Sequence, residues 1–98
     1  MISITAVITV KAGYDRVMAD ALHEVAAHVR ANEPDTQGFY ISQDNTNPCV
    51  FTTYERFTNI EAMNIHNNSA VVARFFGIAK PILAADVILV TANEISTK

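Results

Sequence analysis

The chain has 98 residues and a mass of 10.7 kDa, one domain's worth over residues 1–98 with no room for a second core. Half of it is apolar and 17% is charged, the reverse of the balance that keeps a chain disordered. Seven Lys and Arg against ten Asp and Glu give a net charge of −3 with no basic run, which speaks against a nucleic-acid or anionic-membrane surface.

Residues 2–10 alternate: Ile2, Ile4, Ala6, Ile8 and Val10 point one way, Ser3, Thr5, Val7 and Thr9 the other. This is a strand rich in β-branched residues. Gly13 supplies the exit turn. Residues 15–33 then carry the helical period, with Val17, Met18, Ala21, Leu22, Val25 and Val29 on one arc and Asp15 as its expected N-cap. Pro34 ends that helix and biases Glu33 away from helical geometry. Residues 35–38 read as loop, 39–43 as a short second strand, 44–48 as a hairpin turn and 49–57 as a third strand. That third strand shows Cys49, Phe51, Thr53, Glu55 and Phe57 on one face and Val50, Thr52, Tyr54 and Arg56 on the other. Thr58 and Glu61 are spaced as a capping box for a helix reaching Asn67. Ser69 is placed to cap a second piece over residues 70–80, and residues 87–95 alternate again as a fourth strand.

The order β-α-β-β-α-β predicts an α+β, ferredoxin-like fold: a four-stranded antiparallel sheet with helices on one face. Helices cover only one face, yet the strands are apolar on both, as in Val7 beside Ile8, Val50 beside Phe51 and Leu89 beside Val90. A solvated sheet face should be mostly polar. A homodimer packed through the uncovered sheet face follows as the expected assembly.

One cysteine, Cys49, makes neither an intramolecular disulfide nor a cysteine zinc site. The apolar N-terminus has no basic residue before it and no cleavage-like signal behind it, and so reads as a strand. No stretch approaches ~20 apolar residues, since Asp86 interrupts residues 82–90. A cytoplasmic protein without membrane association is the expectation, and Asn67-Asn68-Ser69 is then a chance glycosylation match.

No metal or nucleophile motif appears. His23, His28 and His66 are not spaced with carboxylates as a ligand set, and no Gly-rich loop follows a strand. His23 falls on the solvent arc of the first helix; His28 borders the apolar arc and reads as partly buried and hydrogen-bonded. His66 follows Ala62 and Met63 at helical spacings. It is either a helix-end histidine facing solvent or a group inside a pocket. Glu55 stands between Phe51 and Phe57 on one strand face, either paired with a cation or tuned for proton transfer.

Residues 33–83 resemble the antibiotic biosynthesis monooxygenase family of dimeric α+β barrel proteins. The pattern runs Glu33-Pro34, Gly38 with an aromatic strand start, residues 44–48, and Phe51. It continues through Thr53-Tyr54-Glu55-Arg56-Phe57, Glu61-Ala62, His66 and Ser69. The terminal strands fit in place and length. The resemblance implies a cofactor-independent monooxygenase: a phenol, quinol or anthrone is deprotonated in an apolar cavity and its own electrons reduce O₂, with no metal, flavin or haem. It implies His66 as general base, Glu55 orienting or balancing it, Tyr54 and Tyr40 on a substrate oxygen, and Phe51 and Phe76 against the substrate. Haem-degrading relatives carry Trp at the place of His66 and a haem-ligating His at the place of Phe76; this chain has no Trp. Many relatives have Pro-His where Ala70-Val71 stand here. The alternatives are an isomerase or other proton-transfer enzyme in the same cavity, or a non-catalytic dimeric ligand-binding or stress-response protein.

Overall fold

The computed structural model describes residues 1–98. Its alternating segments are β1 (Ile2–Thr9), β2 (Thr36–Gln43), β3 (Val50–Phe57) and β4 (Ile88–Asn93). They form one antiparallel four-stranded sheet in the order β2-β3-β1-β4. The helices are α1 (Asp15–Asn32), α2 (Ile60–Asn67) and α3 (Ala70–Ala79), the last continued by a 3₁₀ turn, Lys80–Ile82. This is the ferredoxin-like arrangement that the element order predicts. No helix is long and apolar enough to cross a membrane.

Bounds and caps differ from the sequence reading at several places, among them β4, which spans Ile88–Asn93 where residues 87–95 are expected. The second strand begins at Thr36, not residue 39, because Thr36 already pairs with Phe57 and Gln37 is absorbed as an irregularity before Gly38 pairs with Arg56. The cap of α2 is Asn59, whose side chain accepts from the Ala62 N–H at 2.9 Å. Thr58 instead donates to the Asp35 carbonyl, so the Thr58–Glu61 capping box does not form. Asp15 is the first residue of α1, and Tyr14 precedes it without a side-chain cap. Ser69 caps α3 as its sequence position predicts.

Register decides which side chains share a face. Phe39, Glu55, Ile4 and Thr91 form one row across the sheet; Tyr40, Tyr54, Thr5 and Val90 form the adjacent row on the opposite face. The helices pack on the first of these faces. The core there has three parts: Met18 and Leu22 against Ala6, Ile8 and Phe51; Ala62 against Ile4 and Phe57; and Val25 and Val29 against Val72.

The outer face is left open. Tyr40 is 57% exposed and stacks on Tyr54 with ring centroids 6.4 Å apart. Gly38 makes that possible, since a Cβ there would stand 2.6 Å from the Tyr40 ring. Ile88 and Val90 are exposed beside them. Arg56 donates twice to Glu94, each bond 2.8 Å, and Tyr54 donates to the same carboxylate at 2.8 Å. Arg56 first, then Tyr54, hold the Glu94 carboxyl down to about 2. The fork ties the chain just after β4 to β3, across β1.

Candidate functional site

Glu33, Thr53, Glu55 and His66, four of the buried polar residues of the chain, are gathered at one place. Each arrives for a local reason. Thr53 and Glu55 are two apart on β3 and so share its inner face. His66 lies in the last turn of α2, four residues after the buried Ala62, and its imidazole is packed between Phe39 and Phe57 at 5.7 and 5.4 Å. Glu33 follows the last residue of α1. Pro34 forces it out of the helix, at φ −123 and ψ 79, and its side chain meets His66.

His66 is 3% exposed and stands between two carboxylates. Nδ1 is 2.8 Å from Glu33 Oε1, and Nε2 is 3.3 Å from Glu55 Oε1. Both acids have a second partner: Thr36 Oγ1 donates to Glu33 Oε1 at 2.7 Å, and Thr53 Oγ1 donates to Glu55 Oε2 at 2.9 Å. Burial alone pushes the imidazole toward its neutral form. The hydrogen bonds and charges of Glu55 and Glu33 together outweigh that and raise its pKa above the usual histidine value. The end of a helix adds in the same direction.

A pKa raised on folding links the site to stability. The stabilising contribution of His66 is complete below the unfolded histidine value near ~6.5 and is lost as pH rises through the higher folded value. Denaturant midpoints measured between about pH 6 and pH 9 should therefore fall with rising pH, and His66→Gln should flatten the slope. A wild-type midpoint constant or rising over that range contradicts the ion-pair geometry.

A cavity of about 280 Å³ lies between the inner sheet face and the helices, where the three parts of the core would otherwise meet. Its walls are mainly apolar, from Leu22, Val25, Val72, Phe75 and Phe76 to Leu89, while Thr53, Glu55 and His66 supply its polar end. Its mouth lies between α3 and β4, where Phe76 is 46% and Leu89 60% exposed. A buried imidazole backed by a carboxylate at the end of an apolar pocket can take or give one proton on a bound molecule and exclude water while it does so.

The expected site residues divide. His66 and Glu55 come together, and Phe76 lines the cavity. Phe51 does not: it is 2% exposed and locked into the core against Ile8 and Met18. Tyr40 and Tyr54 do not either, because their register puts them on the outer face. Sequence reasoning missed Glu33 as a site residue. Its signal was its spacing: it follows Val29 by four positions, so an acid continues the apolar arc immediately before a proline.

The profile of the family described as "Antibiotic biosynthesis monooxygenase" matches residues 1–77. The chain belongs to the antibiotic biosynthesis monooxygenase family. A solved antibiotic biosynthesis monooxygenase superposes with a TM-score of 0.89 at 18% identity, over 98% of this chain and 100% of its own. A protein from Nitrosomonas europaea that bears the same family name gives 0.88 at 18% identity, over 98% and 100% of the two chains. A protein from Mycobacterium tuberculosis gives 0.89 at 11% identity, over 98% and 96%. At these identities the likeness is one of fold. No curated protein matches the chain.

Proposed function

We propose that this protein is a cofactor-independent monooxygenase of a compact phenol or quinol, with His66 as the proton acceptor. The observation that carries the reading is the buried imidazole held between Glu33 and Glu55 at the polar end of an apolar cavity. Two carboxylates and one imidazolium leave the site with a net negative charge, so a neutral aromatic is favoured over an anionic substrate. The volume, about 280 Å³, is just below the ~300–1,000 Å³ typical of drug-sized ligands and favours one or two rings over an extended polycycle.

In the reaction, neutral His66 takes the substrate's hydroxyl proton at Nε2, and Glu33 and Glu55 stabilise the imidazolium that forms. The electron-rich anion then reduces O₂. One oxygen atom becomes a substrate carbonyl and the other leaves as water, the substrate supplying all four electrons and both hydrogens: RH₂ + O₂ → R=O + H₂O. Because the resting imidazole holds its proton more tightly than usual, turnover should rise with pH above the ordinary histidine range.

An oxygen electrode tests this with purified protein and a panel of one- and two-ring quinols and phenols. Uptake matched by carbonyl product, insensitive to chelator and to added flavin, is expected. Substrate rearrangement without uptake would favour the isomerase reading, which uses the same residues. A ligand-dependent rise in melting temperature without turnover of any substrate would favour a binding protein.

The open sheet face has a natural occupant in a second copy of the chain. Tyr40, Tyr54, Ile88 and Val90 leave on it an apolar patch of a kind that isolated domains seldom carry. Sedimentation at micromolar concentration should give a dimer, and Tyr40→Glu with Val90→Glu should give a monomer. A soluble wild-type monomer at that concentration ends this part of the reading.

A further inference from the structure

The polar contacts around Glu33 continue past the pocket to the surface of α1. Oε1 of Glu33 is shared by His66 Nδ1 and Thr36 Oγ1. Oε2 is buried and has no well-aligned hydrogen bond. The one nitrogen within ion-pair reach of it is Nε2 of His28, 3.2 Å away on a side chain 33% exposed. The other ring nitrogen of His28 lies 3.3 Å from Asn32 Nδ2, and the same amide donates to the His28 carbonyl at 3.2 Å. An amide nitrogen only donates. Nδ1 of His28 therefore accepts, and the proton of the neutral ring sits on Nε2, facing Glu33.

We propose that His28 is a positioning residue: held in one tautomer by Asn32, it directs its Nε2–H at Glu33 and thereby fixes His66 with Nδ1–H on Glu33 and Nε2 turned to the cavity. The catalytic meaning of this rests on His66 being the proton acceptor; the geometry does not. With two hydrogen bonds at Oε1 and the His28 ring 3.2 Å from Oε2, the Glu33 carboxylate is kept in one orientation. Carboxylates face both ring nitrogens, but Glu33 is the nearer, 2.8 Å from Nδ1 against 3.3 Å from Nε2 for Glu55, so the proton of neutral His66 rests on Nδ1 and its lone pair at Nε2, the side that lines the cavity. Without His28, the buried Oε2 loses the one nitrogen that faces it. The charge of Glu33 is then shared with one imidazole instead of two, and His66 binds its proton more tightly. The charged groups facing His66 are Glu33 and Glu55, and the one facing His28 is Glu33. Arg74, on α3 packed against α1, is occupied by Glu24 at 2.6 Å.

The chain has only three histidines, so their imidazole resonances can be assigned with single variants and followed by NMR against pH. In the wild type, the neutral form of His28 should carry its proton on Nε2 and that of His66 on Nδ1. In His28→Leu, the His66 midpoint should move up by roughly half a pH unit to one pH unit, part of the ~1–3 that an opposite charge at this range contributes. In His28→Gln, whose amide N–H can reach Oε2, it should stay near the wild-type value. A wild-type His28 with its proton on Nδ1 overturns the proposal even if no variant folds. So does a His66 midpoint and tautomer unchanged in His28→Leu. None of these readings needs turnover. Failure here leaves His66 standing as proton acceptor, and absence of oxygen uptake leaves the positioning role standing.

Discussion

His66→Ala is expected to lower kcat by roughly 10²–10⁴ on whichever phenol or quinol supports oxygen uptake, the usual range for loss of a positioned acid–base group. KM should change little, because the apolar walls that bind the ring are untouched. The variant should not melt normally. It leaves Glu33 and Glu55 buried without the cation between them, and stripping one partner from a buried ion pair costs about 3–5 kcal/mol. His66→Gln keeps volume and hydrogen-bonding groups and separates the two effects: folded by circular dichroism, yet slow. Glu55→Gln should be milder on kcat, since Glu33 still orients the ring at Nδ1. A folded His66→Gln with wild-type kcat would falsify the proposed role.

Phe51→Ala is expected to cost about 3–5 kcal/mol of stability, the range for truncating a fully buried aromatic. At ~4–8 °C per kcal/mol for a domain of this size, Tm should fall by more than about 12 °C. Phe51, on the inner face of β3, is one of the most deeply buried side chains and packs against Met18 and Leu22 of α1. Phe76→Ala should behave in the opposite way. Phe76 stands exposed at the cavity mouth, edge-on to Phe75 with centroids 5.5 Å apart, so about 0.5–1.5 kcal/mol of pair energy is at stake. Its loss should appear as a raised KM. Thermal melts and steady-state kinetics on both variants separate a core aromatic from a lining one. A Phe51→Ala that melts like wild type while KM rises would return Phe51 to the substrate site.

Much of this architecture was legible one residue at a time. Period-2 alternation placed Glu55 with Phe51 and Phe57 on one face of β3 and Tyr54 with Arg56 on the other. Period-3.6 spacing placed Met18, Leu22, Val25 and Val29 beneath α1, and Ser69 announced α3 by its hydroxyl. These are local properties, because side-chain direction follows from backbone repeat alone. The chain by itself also carried the apolar character of both sheet faces.

Only the tertiary structure decided what met what. Which face of β3 the helices would cover is a matter of packing, and it sent Tyr40 and Tyr54 away from the cavity while bringing Glu55 into it. Thr36 joined β2 because Phe57 offered it a partner, a pairing between residues 21 apart that no local pattern encodes. Asn59 rather than Thr58 capped α2, because Thr58 was already held by Asp35 across the sheet end. Glu33 reached His66 across 33 residues of chain. Its spacing on the helical arc marked it as buried. Its chemistry depended on a histidine from another helix, since burial alone drives an imidazole neutral, and only carboxylates that the fold holds within reach of the ring make it keep its proton more tightly.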